Sequence, residues 1–169
     1  MSTDRQKSFI GTLSCEGRPI SIERVFNGDR GGYKLLVANA DKAPTRFYFR
    51  RENDTYIIFV RDQKHLGQLV HLNSYGELAV SPSSEVNNIH FDLDGMTLDD
   101  FQSNTVKLHL FAKPRHLITM KGTSNSPTLT SHDIPEKIYF ESKADQAFAY
   151  FTIDILERNV SYVSDPDEV

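Results

Sequence analysis

The chain has 169 residues, of which 38% are apolar and 25% charged, with a net charge of -4 and a pI near 5.8. That length can bury a real core in a single domain spanning residues 1–169. The acidic balance argues against bulk attraction to nucleic acid or an anionic membrane surface, and no apolar run reaches the length of a signal-peptide core or a membrane span. The expectation is a protein of the cytoplasm, or one released without a signal peptide. Cys15 is the single cysteine, which excludes an internal disulfide framework and fits a reducing compartment or a fold indifferent to redox state.

Residues 1–8 are polar. Phe9, Ile10 and Leu13 mark a short strand, and Glu16-Gly17-Arg18-Pro19 a turn. Residues 19–25 alternate apolar and polar side chains, the period of a half-buried strand. Asn27-Gly28-Asp29-Arg30-Gly31-Gly32 is a turn, because Gly and Asn tolerate positive φ, and Tyr33 to Val37 resumes a strand. Phe47-Tyr48-Phe49, a polar turn and Tyr56 to Val60 follow. The same arrangement returns as Ile89-His90-Phe91 before Val106 to Leu110, and as Ile138-Tyr139-Phe140 before Phe148 to Ile155. Sustained helical periodicity is absent, and only residues 96–101 suit a helical turn. Short strands at such intervals indicate an all-β sandwich or barrel.

The apolar-x-aromatic triplets end at Phe49, Phe91 and Phe140, at intervals of 42 and 49 residues. An extra segment, residues 95–103, accounts for the longer interval. Three such units are too few for a propeller, which uses about four to eight blades. They suit a β-trefoil: three four-stranded repeats forming a six-stranded barrel capped by hairpins. The repeats would be residues 19–50, 54–92 and 104–142, with extensions at 1–18 and 143–169 supplying extra terminal strands. The inward faces would carry Phe47, Phe49, Ile58, Val60, Ile89, Phe91, Leu108, Leu110, Ile138 and Phe140.

Within the third unit, Lys121-Gly122-Thr123-Ser124-Asn125-Ser126-Pro127, then His132-Asp133, then Phe140 resembles the repeat of small galactose-binding β-trefoil lectins of mussels. In the second unit, Leu69-Val70-His71 and Asn73-Ser74-Tyr75-Gly76 are similar to the first half of that motif, and Ser84 stands where an Asp would follow. The family's His-Pro pair before the glycine turn is absent, and the first unit lacks the loop. The resemblance implies a lectin-like, non-catalytic protein whose glycan, of galactose type, is held by Lys121, Gly122, Asn125, His132, Asp133, His71 and Asn73. Tyr139 or a neighbouring loop would supply an aromatic face.

The same Ser, Asn and Asp residues also read as turn and capping groups. The six histidines lack structural zinc spacing, and Asp92-Leu93-Asp94-Gly95 with Asp99 and Asp100 lacks the ligand series of a calcium loop. No cofactor or metal is expected. No nucleophile elbow, phosphate loop or dinucleotide fingerprint occurs, so an enzyme is not expected. The alternative to a glycan partner is a protein partner, as for a protease inhibitor, a cytokine-like protein or a toxin-associated interaction domain. It would be bound through residues 95–103 and the loop at 27–32.

Overall fold

The computed structural model describes residues 7–26, 32–113, 116–121, 137–144 and 146–161. Among these residues the chain is all-β, with a single 3-10 turn at Leu98–Asp100. Seven strands come from its first half: β1 (Ser8–Cys15), β2 (Arg18–Phe26), β3 (Gly32–Asn39), β4 (Arg46–Glu52), β5 (Thr55–Val60), β6 (Leu69–Leu72) and β7 (Leu78–Ser81). They are followed by β8 (Phe91–Asp92), β9 (Thr105–His109), β10 (Phe111–Ala112), β11 (His116–Leu117), β12 (Thr119–Lys121), β13 (Lys137–Glu141) and β14 (Tyr150–Val160).

Strands β1 to β7 close an antiparallel barrel in the order β1-β2-β3-β7-β6-β5-β4 and back to β1. Closure depends on β1. Its whole length pairs with β14, so β4 at residues 9–12 and β2 at residues 14–15 share its remaining edge. The other strands lie outside this ring: β9 pairs β14, β13 pairs β3 and β12, and β10 joins β8 to β11.

A seven-strand ring overturns the β-trefoil, whose barrel has six strands from three equivalent units. The first and third apolar-aromatic triplets are strands, the second only reaches one at Phe91, and the three land in unlike places. Phe49 is in the barrel wall on β4, Phe91 begins the two-residue β8, and Phe140 lies on β13 outside the ring. A triplet records one buried face of a strand, which any well-covered sheet demands, and not its position in a repeat. The terminal strands are not merely additions to the barrel. β1 and β14 do pair, but β1 is itself a wall strand.

Alternation along the wall fills two layers. Leu13, Ile20, Leu36, Phe47, Phe49, Ile58, Val60, Val70 and Val80 enter the main core, with Leu108, Leu110, Ile138, Phe140, Phe151, Ile153 and Ile155 from the outer strands. Ile10, Tyr48, Ile57, Phe59 and Leu69 form a second cluster on the opposite face of the wall, packed by Val86 and Val160. Burial on both faces explains the unbroken apolar runs at residues 47–49 of β4 and 56–60 of β5. Cys15 is in the main core, and burial pushes its thiol up to about 12.

One barrel end is closed by side chains. Phe9 stacks on Phe49 at 4.4 Å between ring centroids and meets Tyr56 and Phe101 edge-on at 5.4 and 6.2 Å. The 3-10 turn carries Leu98 into the same place, and its backbone N–H donates to the Tyr56 hydroxyl at 2.9 Å. Residues 95–103 are therefore built into the core through Leu98 and Phe101. The acids around this segment are engaged. Asp92 accepts from Gly95 N–H and pairs with Lys113, Asp94 accepts from His109, Asp99 pairs with Lys7, and Asp100 accepts from Thr97 N–H. No helix among the described residues is long and apolar enough to cross a membrane.

Candidate functional site in the barrel wall

The β6–β7 hairpin carries two of the expected ligand residues and places them by local chemistry. Asn73 starts the turn: its Oδ1 accepts the N–H groups of Tyr75 and Glu77, each at 3.0 Å. Gly76 takes φ of +76°, a left-handed conformation that favours glycine, and its carbonyl accepts Ser142 N–H at 2.9 Å. The turn is thus tied to the chain that follows β13. Asn73 Nδ2 donates to Glu77 at 3.2 Å, and the other oxygen of that carboxylate lies 3.4 Å from Lys121 Nζ. Lys121 also lies 3.7 Å from Glu141. Two residues singled out in separate units therefore meet at Glu77.

His71 is opposite Ala79 on the hairpin and nearly buried. Its Nδ1 is 3.1 Å from the Leu72 carbonyl, which can only accept, so Nδ1 carries the proton. Its Nε2 then accepts from Ser81 Oγ at 2.8 Å. With its proton directed at His71, the Ser81 hydroxyl turns its remaining lone pairs elsewhere. Burial holds the His71 imidazole below its ordinary pKa, favouring the neutral form that this arrangement needs.

These side chains line one face of a cleft of about 260 Å³; Tyr33 and Lys34 of β3, with Glu85 from the turn after β7, complete the polar and aromatic lining. That is slightly below the roughly 300–1,000 Å³ of pockets for drug-sized ligands. The Tyr33 ring meets the half-exposed Tyr75 edge-on at 5.6 Å. Lys34 Nζ donates to Gln68 Oε1 at 2.5 Å. Burial lowers the Lys34 pKa; nearby Glu85 opposes the shift and Arg24 adds to it. The cleft therefore combines an aromatic ring, an ammonium donor, a carboxylate acceptor and a hydroxyl oriented by an imidazole.

No known family, curated protein or solved structure matches this chain. The site must be read from its own residues. His71 and Asn73 line the cleft; Lys121 joins it only through Glu77. Gly122, Asn125, His132 and Asp133 lie outside the described residues. Tyr139, the candidate aromatic face, is half-buried on an outer cluster with Leu35, Val37 and Ala79, and burial raises its phenol pKa. Sequence reasoning missed Tyr33, Lys34, Ser81 and Glu85. The signal for Ser81 was its place ten residues after His71 on the returning strand of a short hairpin, where a diagonal cross-strand contact is to be expected.

Proposed function

We propose that this chain is a non-catalytic carbohydrate-binding barrel that seats one glycan ring in the cleft on β3, β6 and β7. One observation supports it: a tyrosine ring and several oriented hydrogen-bonding groups share a recess built on strands. A pyranose has a C–H face that packs on an aromatic ring and hydroxyls that both donate and accept. Tyr33 supplies the ring, Lys34 donates, Glu85 accepts, and Ser81 accepts because His71 holds its proton. Tyr33, Lys34 and Ser81 are strand-borne and lose little freedom on binding, which favours recognition of one hydroxyl arrangement. An epimer that leaves a buried group unpaired forfeits about 1–3 kcal/mol, about ten- to hundredfold in affinity.

A glycan array followed by titration of the best ligand tests this reading. Ser81→Ala and Tyr33→Leu should each weaken binding about tenfold or more, while Asp133→Ala binds as the parent does. Loss in Asp133→Ala with full binding in Ser81→Ala would move the site to the third-unit loop that carries the lectin resemblance. A silent array would reject the sugar and leave the protein-partner alternative. Its surface would then include the exposed rings of Phe148 and Tyr150, which pack around His109 at 6.0 and 4.0 Å.

A further inference from the structure

Away from the sugar cleft, we infer that Arg46, Arg61 and Lys64 form a binding site for an anionic tetrahedral oxyanion group, a sulfate or phosphate monoester. The β4–β5 register pairs Phe47 with Val60, which sets Arg46 directly opposite Arg61 at the next step; Arg61 N–H donates to the Arg46 carbonyl at 2.8 Å. Phe47 and Val60 are in the main core, whereas the two arginines are exposed. Like charges opposite one another on neighbouring strands repel. Neither arginine, nor Lys64, has a carboxylate within ion-pair distance among the described residues, although Lys7, Arg50, Arg51, Lys113, Lys121 and Lys137 all do.

All three cations line one recess of about 470 Å³ with Asp62 and Gln63. Two carboxylates lie nearby. Asp62 turns Oδ1 to the N–H groups of Lys64 and His65 at 3.1 Å each, and Glu157 lines the neighbouring recess on the other side of Arg61. Excess positive charge therefore stays on the recess. Guanidinium groups hold tetrahedral oxyanions through paired N–H donors, and an anion between Arg46 and Arg61 turns their repulsion into two attractions. The arrangement was invisible in the sequence because the arginines are 15 positions apart, while the adjacent Arg50 and Arg51 are buried and paired with Glu52 and Asp54.

The test is an amide NMR titration of the full chain with inorganic phosphate and, separately, with glucose 6-phosphate and glucose 6-sulfate. Saturable shifts centred on residues 61–65 are expected, weakened at least tenfold by Arg46→Gln/Arg61→Gln and unchanged by Lys143→Gln, an exposed charge elsewhere. Tighter binding of the esters than of inorganic phosphate assigns the site to an ester; equal binding assigns it to the free anion. A thermal measurement gives an independent readout. In phosphate-free buffer Arg61→Gln should melt at or above the parent temperature, because it relieves the like-charge pair. Added phosphate should raise the parent's Tm and leave the variant's unchanged, since only the form that binds is stabilised. Non-saturating shifts, equal weakening by Lys143→Gln, or the same phosphate response in Arg61→Gln would overturn the site.

Discussion

At the scale of single residues, His71 shows how position in the wall sets chemistry. Its imidazole is enclosed by the hairpin, with both nitrogens in hydrogen bonds, and burial lowers its pKa from the ordinary 6.5. The sign of the consequence follows from proton binding. Above about pH 6.5 neither the folded nor the unfolded form carries the proton, so His71 adds no pH dependence. As pH falls below that value the unfolded chain takes it up and the folded chain does not, so stability is lost until the lowered folded pKa is reached. His65 shifts the same way, through burial and the nearby Lys34, so the parent alone does not isolate His71. His71→Gln should lose less stability than the parent between pH 7.5 and 5.5 in urea unfolding; parallel losses would rule this out. His71 and Asn73 were singled out in the sequence only through the lectin resemblance of the second unit. That the Asn73 amide is occupied by the turn and by Glu77 was not legible there, because it depends on how the hairpin closes. Tyr33 and Lys34 carry no local mark, since their meaning comes from a hairpin almost forty residues away in the chain.

At the scale of elements, the segment after β8 has the clearest consequence. Its sequence suited a helical turn over residues 96–101, and the structure has a 3-10 turn at Leu98–Asp100. What local pattern could not supply was its destination: Leu98 and Phe101 pass inward and stopper the barrel beside Phe9, Phe49 and Tyr56. Leu98→Ala removes buried methyl groups at a place walled by rigid rings, which limits collapse around the void. A loss of roughly 2–5 kcal/mol is expected in denaturant unfolding. Gln102→Ala, at an exposed neighbour, should cost little. Comparable midpoints for the two variants would show that the segment is not part of the core. The same element-level logic explains the triplets ending at Phe49, Phe91 and Phe140. Their alternation correctly marks buried faces, with all three phenylalanines in one core.

At the scale of the whole molecule, the two ends of the described chain depend on each other. β14 runs along all of β1 and carries Phe151, Ile153 and Ile155 into the main core. Removing residues 150–161 would expose those side chains and leave one edge of a barrel strand unpaired. The shortened chain should lose cooperative unfolding and bind a hydrophobic dye; a sharp transition like that of the full chain would refute the dependence. Pairings so distant in sequence close late and slowly, so folding on the millisecond-to-second scale of all-β topologies is expected. The sequence by itself determined the all-β class, the position of most strands and the faces they bury. Period-two alternation and turn chemistry act between near neighbours, so they can be read locally. Tertiary structure alone decided that seven strands close the ring, that β13 and β14 lie outside it, and that a cleft joins β3 to the β6–β7 hairpin. Those outcomes depend on which edges meet: β3 reaches β7 through Leu35 and Ala79, and β5 reaches β6 through Phe59 and Leu69. Each strand in those pairings is apolar enough to sit beside several others, so its partner is chosen by the packing of the whole core.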